Sequence, residues 1–190
     1  METIRFLDNK GTFSIVRPEN YSYLYFPIAG ESGIKSSLSP NLGGDIKNNQ
    51  NAFLMEPVSA ENLHNNRSGR NFWCYVEGLG AWSATGASAE EECKKFTESQ
   101  DESEMTAGFM WQSIVRKSEK YQLKAKITSF VPLGHNVEIM HVELCNMDNK
   151  VKKITPVAAI PIFGRSADNI RDHRHVTSLL HRSNTTDNGA

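Results

Sequence analysis

The densest set of ionisable side chains in the sequence lies between Arg165 and His175. This stretch also contains Arg171, His173, two aspartates and a further arginine. It directly follows an apolar run, residues 160–163, so its charges stand next to residues that are expected to be buried. Because an unpaired buried charge is costly, these side chains are expected to pair with one another or to face a neutral polar ligand such as a sugar.

Two histidines in this stretch have the spacing of a metal pair. His173 and His175 are two residues apart, so on a β-strand their side chains would share one face. The interleaved arginines would repel a cation, and no third ligand stands nearby in the sequence. We therefore favour a salt-bridged strand, in which Asp172 pairs with arginines, or a sugar-contacting strand, and we expect no metal.

An aromatic segment at residues 71–85 offers a second candidate for sugar binding. Trp73, Tyr75 and Trp82 can stack on sugar rings, or they can form the inner face of a hairpin. Cys74 alternates with them and has no activating partner in the sequence, so it is expected to be a small buried hydrophobic residue. The candidate substrate contacts are thus Arg165, Arg171, His173, His175 and Trp82.

Other site chemistries find little support in the sequence. It contains no G-x-S-x-G nucleophile motif and no glycine-rich phosphate loop. Glu90 to Glu92 are predicted to lie on a helix surface, and the acidic run from Asp101 to Glu104 is predicted to be solvated. No catalytic residue is therefore assigned.

The elements that would position these residues are mostly short strands. Alternating apolar and polar residues predict hairpins, further strands and one short helix that begins after the capping residue Ser88 and ends near Phe96. The predicted hairpins span about 4–15, 71–85 and 109–131, and the other predicted strands lie near 24–28, 53–55, 140–144 and 154–163. Pro156 and Pro161 favour an edge position for the last of these. This pattern predicts an all-β fold, an antiparallel β-sandwich.

Composition limits the number of domains, the classes of binding partner and the cellular compartment. The chain has 190 residues, 38% hydrophobic and 23% charged, with 21 basic and 22 acidic residues. These values predict a single domain over residues 1–190 and give no electrostatic case for nucleic acid or an anionic membrane. Three cysteines without a C-x-x-C pair and an N-terminus without an apolar run favour the cytoplasm. Residues 183–190 are polar and are expected to be a disordered tail, and this end resembles a truncation.

Several segments resemble one enzyme family. RNFWCYV at 70–76 followed by AWSAT at 81–85 resembles the N-terminal domain of inverting β-glycoside phosphorylases, the cellobiose and cellodextrin phosphorylase group. The other segments that carry the resemblance are 107–139, 141–146 and 164–180. The last is most similar to the branch that acts on β-1,2-linked oligoglucans, 1,2-β-oligoglucan phosphorylase, and the resemblance spans about residues 40–182.

This resemblance implies a galactose-mutarotase-like super-β-sandwich that is incomplete at its C-terminus. In the family an (α/α)6 barrel carries the general acid, inorganic phosphate is the co-substrate, and no cofactor is needed. The chain would then be a non-catalytic N-terminal fragment whose partners are the helical barrel of the full-length enzyme, a second subunit of a homodimer and a β-glucan oligosaccharide.

Two other interpretations stay open at this point. A free-standing carbohydrate-binding β-sandwich would close its sheets and bind sugar alone, whereas a fragment would expose sheet edges and aggregate. A small metalloenzyme of the cupin type would rest only on His173 and His175.

Overall fold

The protein is described by a computed structural model that covers residues 4–21, 24–49, 52–58, 69–164 and 184–187. These residues form thirteen β-strands, one α-helix and one 3-10 turn, residues 18–20. The strands are β1 (Ile4–Phe6), β2 (Phe13–Val16), β3 (Phe26–Ala29), β4 (Lys35–Leu38), β5 (Ile46–Lys47), β6 (Phe53–Met55), β7 (Asn71–Val76), β8 (Gly80–Ser83), β9 (Glu102–Gly108), β10 (Trp111–Ser118), β11 (Leu123–Phe130), β12 (Ile139–Asn146) and β13 (Ile154–Ala159). The helix, α1, spans Ala89–Lys94.

The strands form three antiparallel sheets. The largest has six strands in the order β1-β2-β9-β10-β11-β12, the second has the order β13-β7-β8, and the third has the order β3-β4-β5-β6. Side chains from all three sheets meet in one core, which includes Ile15, Ile28, Cys74, Leu123 and Ile127. The prediction of an all-β antiparallel sandwich is therefore confirmed.

Local patterns predicted most of the hairpins. Phe6 pairs with Phe13 in the first hairpin, and Trp111 pairs with Phe130 in the long hairpin of β10 and β11. On β11 the inward residues Leu123, Ala125 and Ile127 are buried, as the alternation indicated.

One central strand was missed. Residues 101–104 were expected to be a solvated acidic run, but β9 begins at Glu102 and lies between β2 and β10. Its inward residues are Ser103, Met105 and Ala107, all buried. Because two of these three inward residues are serine and alanine, the hydrophobic alternation of β9 is weak and does not predict a strand.

The short helix follows its capping prediction. The Ser88 hydroxyl accepts a hydrogen bond from the Glu91 backbone N–H at 3.2 Å, which satisfies one of the free donors of the first turn. The helix ends at Lys94, two residues before the predicted end, and Phe96 adopts a left-handed backbone conformation at φ 67°. Such a conformation is incompatible with continued helix.

The last described strand is shorter than predicted and lies at an edge, as its prolines indicated. β13 ends at Ala159 and pairs only with β7 among the described strands. The apolar run 160–163 then leaves this sheet. Phe163 is buried, and its N–H donates to the Leu54 carbonyl of β6 at 2.7 Å. This run therefore connects the second sheet to the third.

Candidate functional site

The strongest concentration of buried charge lies on the inner side of the six-stranded sheet. Arg116 of β10 is 1% exposed, and its Nη1 donates to Glu19 Oε1 at 3.2 Å. Ser103 Oγ lies 2.7 Å from both oxygens of Glu19, and Gln100 Nε2 donates to Oε1 at 3.0 Å. We call Glu19, Gln100, Ser103 and Arg116 the polar cluster. Its carboxylate and guanidinium are paired within the protein, which is the arrangement of a structural ion pair.

A small cleft adjoins the polar cluster. It is lined by Glu19, Asn41, Gly86, Glu91, Glu92, Lys95, Gln100 and Arg116, and it has room for about one water molecule. Two lining atoms, Glu91 Oε2 and Arg116 Nε, have no hydrogen-bond partner within the described ranges. A cleft of this size does not admit a glucose ring, so the polar cluster is not a sugar site.

Asp101 and Trp82 form a second buried polar contact near the cluster. The Trp82 Nε1–H donates to Asp101 Oδ2 at 2.9 Å. Burial raises the pKa of the Asp101 carboxyl, and the charge of Glu91 raises it further, while the bond from Trp82 opposes the shift. The prediction that residues 101–104 are solvated is therefore wrong for Asp101 and Ser103, although Glu102 and Glu104 are exposed.

Trp82 cannot serve as the sugar contact proposed from the sequence. It is 2% exposed and stacks against Tyr121, with ring centroids 6.2 Å apart and an interplanar angle of 29°. A sugar can stack on an aromatic ring only if at least one face of the ring is accessible. The indole of Trp82 is enclosed by the core, so neither face is accessible. The core interpretation of Trp82 is the one that the structure supports.

Trp73 and Tyr75 of this hairpin point the opposite way. Trp73 and Tyr75 alternate with the buried residues Cys74 and Val76, so they lie on the outer face of β7. Tyr75 is 52% exposed. The expectation that all three aromatics share the inner face is thus correct only for Trp82, because Cys74 and Val76 occupy the inner positions of β7.

The thiol at position 74 is enclosed by the core, as expected. Cys74 is fully buried, and burial raises the pKa of its thiol to about 11. The nucleophilic thiolate is therefore scarcely populated at neutral pH.

A second buried ion pair was not foreseen from the sequence. The Arg70 guanidinium binds the Glu138 carboxylate through Nε and Nη2, the latter at 3.0 Å, and Ser36 Oγ donates to the same carboxylate. Arg70 Nη2 also donates to the Asp45 carbonyl at 3.1 Å. These bonds connect β4, the start of β7 and the loop before β12, so this pair also has a structural role.

One signal in the sequence does point to the buried arginine of β10. Gln112, Ile114, Arg116 and Ser118 share one side of the strand, and all four are buried. Strand periodicity alone places Arg116 on the inner face with Ile114. Its partner Glu19 lies in the short 3-10 turn, which has no strand periodicity, so no comparable signal exists for the carboxylate.

The remaining site predictions fall outside the described residues. Arg165, Arg171, His173 and His175 belong to this group, and the last described residue before them is Gly164. Within the described ranges no three histidine, cysteine, aspartate or glutamate side chains come together as metal ligands. No helix of the described part is long and apolar enough to cross a membrane.

Comparison with known proteins identifies the family of the chain. The family model described as glycosyl hydrolase 94, supersandwich domain, matches residues 43–188, which is more than half of the chain. No curated protein matches the chain.

Proposed function

Because the chain belongs to the glycosyl hydrolase 94 supersandwich-domain family, we propose that it is the non-catalytic sandwich domain of an enzyme that phosphorolyses β-linked oligoglucans. The finer assignment is to β-1,2-linked glucans, with glucose 1-phosphate as the product. The observation that carries the proposal is the family match over residues 43–188 on an all-β chain. The resemblance of residues 164–180 to the β-1,2-oligoglucan branch supports the finer assignment.

The buried charges of the described part agree with a non-catalytic role. Glu19 and Glu138 are both paired with buried arginines, and the cleft beside Glu19 has room for about one water molecule. A glycoside-cleaving site needs carboxyl groups that reach a sugar ring. Carboxylates that are enclosed and paired in this way stabilise the fold instead.

The proposed partners follow from the same assignment. A helical-barrel domain of the full-length enzyme would supply the general acid and the phosphate site, inorganic phosphate would be the co-substrate, and no organic cofactor is proposed. The full-length enzyme would be a homodimer. A cytoplasmic location is proposed from Cys74, Cys93 and Cys145, which are free thiols in the structure.

The site residues proposed to reach the sugar are Arg165, Arg171, His173 and His175. In the full-length enzyme they would lie at the rim of the barrel's sugar site and donate hydrogen bonds to glucosyl hydroxyl groups. Trp82 is withdrawn from this set because its indole is enclosed by the core.

A phosphorolysis assay of the purified chain tests the non-catalytic role. With inorganic phosphate and β-1,2- or β-1,4-linked glucooligosaccharides, we expect no glucose 1-phosphate above the enzyme-free blank. The chain is also expected to form a complex with the helical barrel of a 1,2-β-oligoglucan phosphorylase produced without its own sandwich. Release of glucose 1-phosphate by the chain alone would contradict the proposal.

A free-standing carbohydrate-binding module is the second candidate, and the exposed side of β7 is the feature that favours it. Tyr75 is half exposed and Trp73 lies two residues away on the same face. Calorimetric titration with β-1,2- and β-1,4-glucooligosaccharides distinguishes the two proposals. Binding by the isolated chain that is lost in Tyr75→Ala would favour the module, provided that it is kept in the control Tyr25→Phe, at a tyrosine that lies just before β3 and not on β7.

A further inference from the structure

The cleft beside the polar cluster is lined by two buried residues whose free atoms have complementary hydrogen-bonding character. Arg116 Nε carries a donor hydrogen and Glu91 Oε2 is an acceptor, and neither atom has a hydrogen-bond partner within the described ranges. Arg116 is 1% exposed and Glu91 is 7% exposed, so bulk solvent does not supply the missing bonds. A buried polar atom without a hydrogen bond destabilises the fold, and native proteins therefore provide a partner for nearly all of them.

Both side chains are held in place by other partners. Glu91 Oε1 accepts a hydrogen bond from Lys94 Nζ at 3.1 Å, within α1. Arg116 Nη1 donates to Glu19 Oε1 at 3.2 Å. Because the guanidinium is planar, the bond at Nη1 also fixes the direction of the Nε–H. The two free atoms are therefore part of one fixed arrangement, with α1 on one side of the cleft and β10 on the other.

Gly86 preserves this arrangement because it has no side chain. It lines the cleft, and a Cβ at this position would overlap the guanidinium of Arg116. The Gly86 N–H donates to the Ser83 carbonyl at 3.1 Å, which fixes the backbone beside the guanidinium. A larger residue would displace the guanidinium, so glycine maintains the shape of the cleft.

The size and charge of the cleft determine what it can hold. It has room for about one water molecule, which excludes a sugar or any organic ion. A cation would meet the positive charges of Lys95 and Arg116, and an anion would meet the carboxylates of Glu19, Glu91 and Glu92. Among species this small, water can both accept a hydrogen bond from Nε–H and donate one to a carboxylate.

We propose that this cleft is a binding site for one ordered water molecule, which bridges Arg116 Nε and Glu91 Oε2. The water accepts a hydrogen bond from the arginine and donates one to the glutamate, so both buried atoms gain a partner. Asn41 and Gln100 also line the cleft. They supply the further polar neighbours that a buried water usually has.

This water connects the helix to the six-stranded sheet. α1 has six residues, and a helix of this length is not stable without contacts to the rest of the protein. Its Ser88 cap and the bonds of Lys94 lie within the helical segment itself. Glu90 reaches Lys120 at 3.0 Å through an exposed pair, which dissolved salt weakens. The water bridge is a buried polar link from α1 to β10 and is insensitive to such screening.

The water site is independent of the proposed enzymatic role. All the residues that line it belong to the described part of the sandwich, and no sugar or phosphate takes part. The phosphorolysis assay and the test of the water site can therefore fail separately.

Nuclear magnetic resonance of the isotope-labelled chain tests the site at the Nε–H proton of Arg116. A water molecule with a long residence time beside this proton gives cross-peaks to the water frequency that have opposite signs in NOESY and ROESY spectra. Hydrogen exchange with solvent gives the same sign in both spectra. We expect opposite signs for Arg116 in the parent chain.

Glu91→Leu and Lys94→Leu form a matched pair of variants for this measurement. Both break the bond between Lys94 and Glu91, but only Glu91→Leu removes an acceptor from the cleft. We expect the cross-peaks of Arg116 to be lost in Glu91→Leu and kept in Lys94→Leu. Their absence from the parent, their survival in Glu91→Leu or their loss in Lys94→Leu would overturn the proposal.

A crystal structure of the parent chain gives a second test that does not depend on how the variants fold. We expect electron density for one water molecule within about 2.7–3.2 Å of both Arg116 Nε and Glu91 Oε2. A direct bond between these two side chains, or a cleft without such density, would refute the water site.

Discussion

The guanidinium of Arg116 binds the carboxylate of Glu19 at 3.2 Å, although the two residues are 97 positions apart in the chain. This bond connects the 3-10 turn after β2 to the middle of β10, and it lies inside the protein. Serine and glutamine side chains satisfy the remaining acceptor sites of Glu19. A buried pair with such support determines how the turn packs on the sheet.

The first prediction concerns this ion pair. Glu19→Ala leaves the Arg116 guanidinium buried without its bonded carboxylate, so we expect the free energy of unfolding to fall by roughly 3–5 kcal/mol. Urea denaturation followed by tryptophan fluorescence measures this change. Lys117→Ala breaks an exposed pair with Glu102 and is the matched control, with an expected change below about 1 kcal/mol. Equal losses in the two variants would contradict a structural role for the Arg116–Glu19 pair.

The second prediction is a pH dependence that originates at Asp101. Burial, and then the charge of Glu91, raise the pKa of this carboxyl in the folded protein above its ordinary value of 3.8. In the window between 3.8 and the raised pKa the folded state binds the proton more readily than the unfolded state does. The contribution of Asp101 to the free energy of unfolding therefore rises as the pH falls through this window and declines as the pH rises.

Asp101→Asn removes this titration while it keeps an oxygen that can accept from Trp82 Nε1. We expect the difference in unfolding free energy between the parent and Asp101→Asn to change across the mildly acidic range and to be constant well above it. Asp101→Ala, which leaves the buried Trp82 N–H without its acceptor, should cost about 1–3 kcal/mol at neutral pH. Parallel stability profiles for the parent and Asp101→Asn would argue against a raised pKa.

The third prediction uses two glycines with nearly the same backbone conformation. Gly86 has φ 77° and Gly78 has φ 78°, so alanine meets the same left-handed backbone penalty at both positions. A Cβ at Gly86 would overlap the Arg116 guanidinium, whereas a Cβ at Gly78 meets no atom within 4 Å. Gly86→Ala should therefore lower the melting temperature clearly more than Gly78→Ala, and equal shifts would show that Arg116 moves aside freely.

The fourth prediction concerns Asp172, which lies outside the described residues and was expected from the sequence to pair with neighbouring arginines. Asp172→Ala should lower the melting temperature markedly, because a buried arginine would lose its partner, at a cost of roughly 3–5 kcal/mol. Glu102→Ala, at an exposed position, should have little effect. If Asp172→Ala melts like the parent while the activity of the full-length enzyme collapses, the stretch belongs to the sugar site instead.

Local patterns were sufficient for much of the architecture. The hairpin of β10 and β11, the buried face of Leu123 and Ile127, and the cap at Ser88 depend on residues close together in the chain. Strand alternation and helix capping act over a few residues, so the sequence contains their full signal. The family resemblance drew on the order of such segments, and the match over residues 43–188 agrees with it.

The sequence alone determined that the chain is an antiparallel β-protein with short strands, but tertiary structure decided what its polar residues do. Asp101 stands in an acidic run, yet it is buried, and its carboxylate accepts a hydrogen bond from Trp82. Arg70 and Glu138 are 68 positions apart and meet only after β7 and the loop before β12 are in place. Periodicity states which side of a strand a residue faces, whereas the partner across the core depends on how separate sheets pack, and no local pattern encodes that.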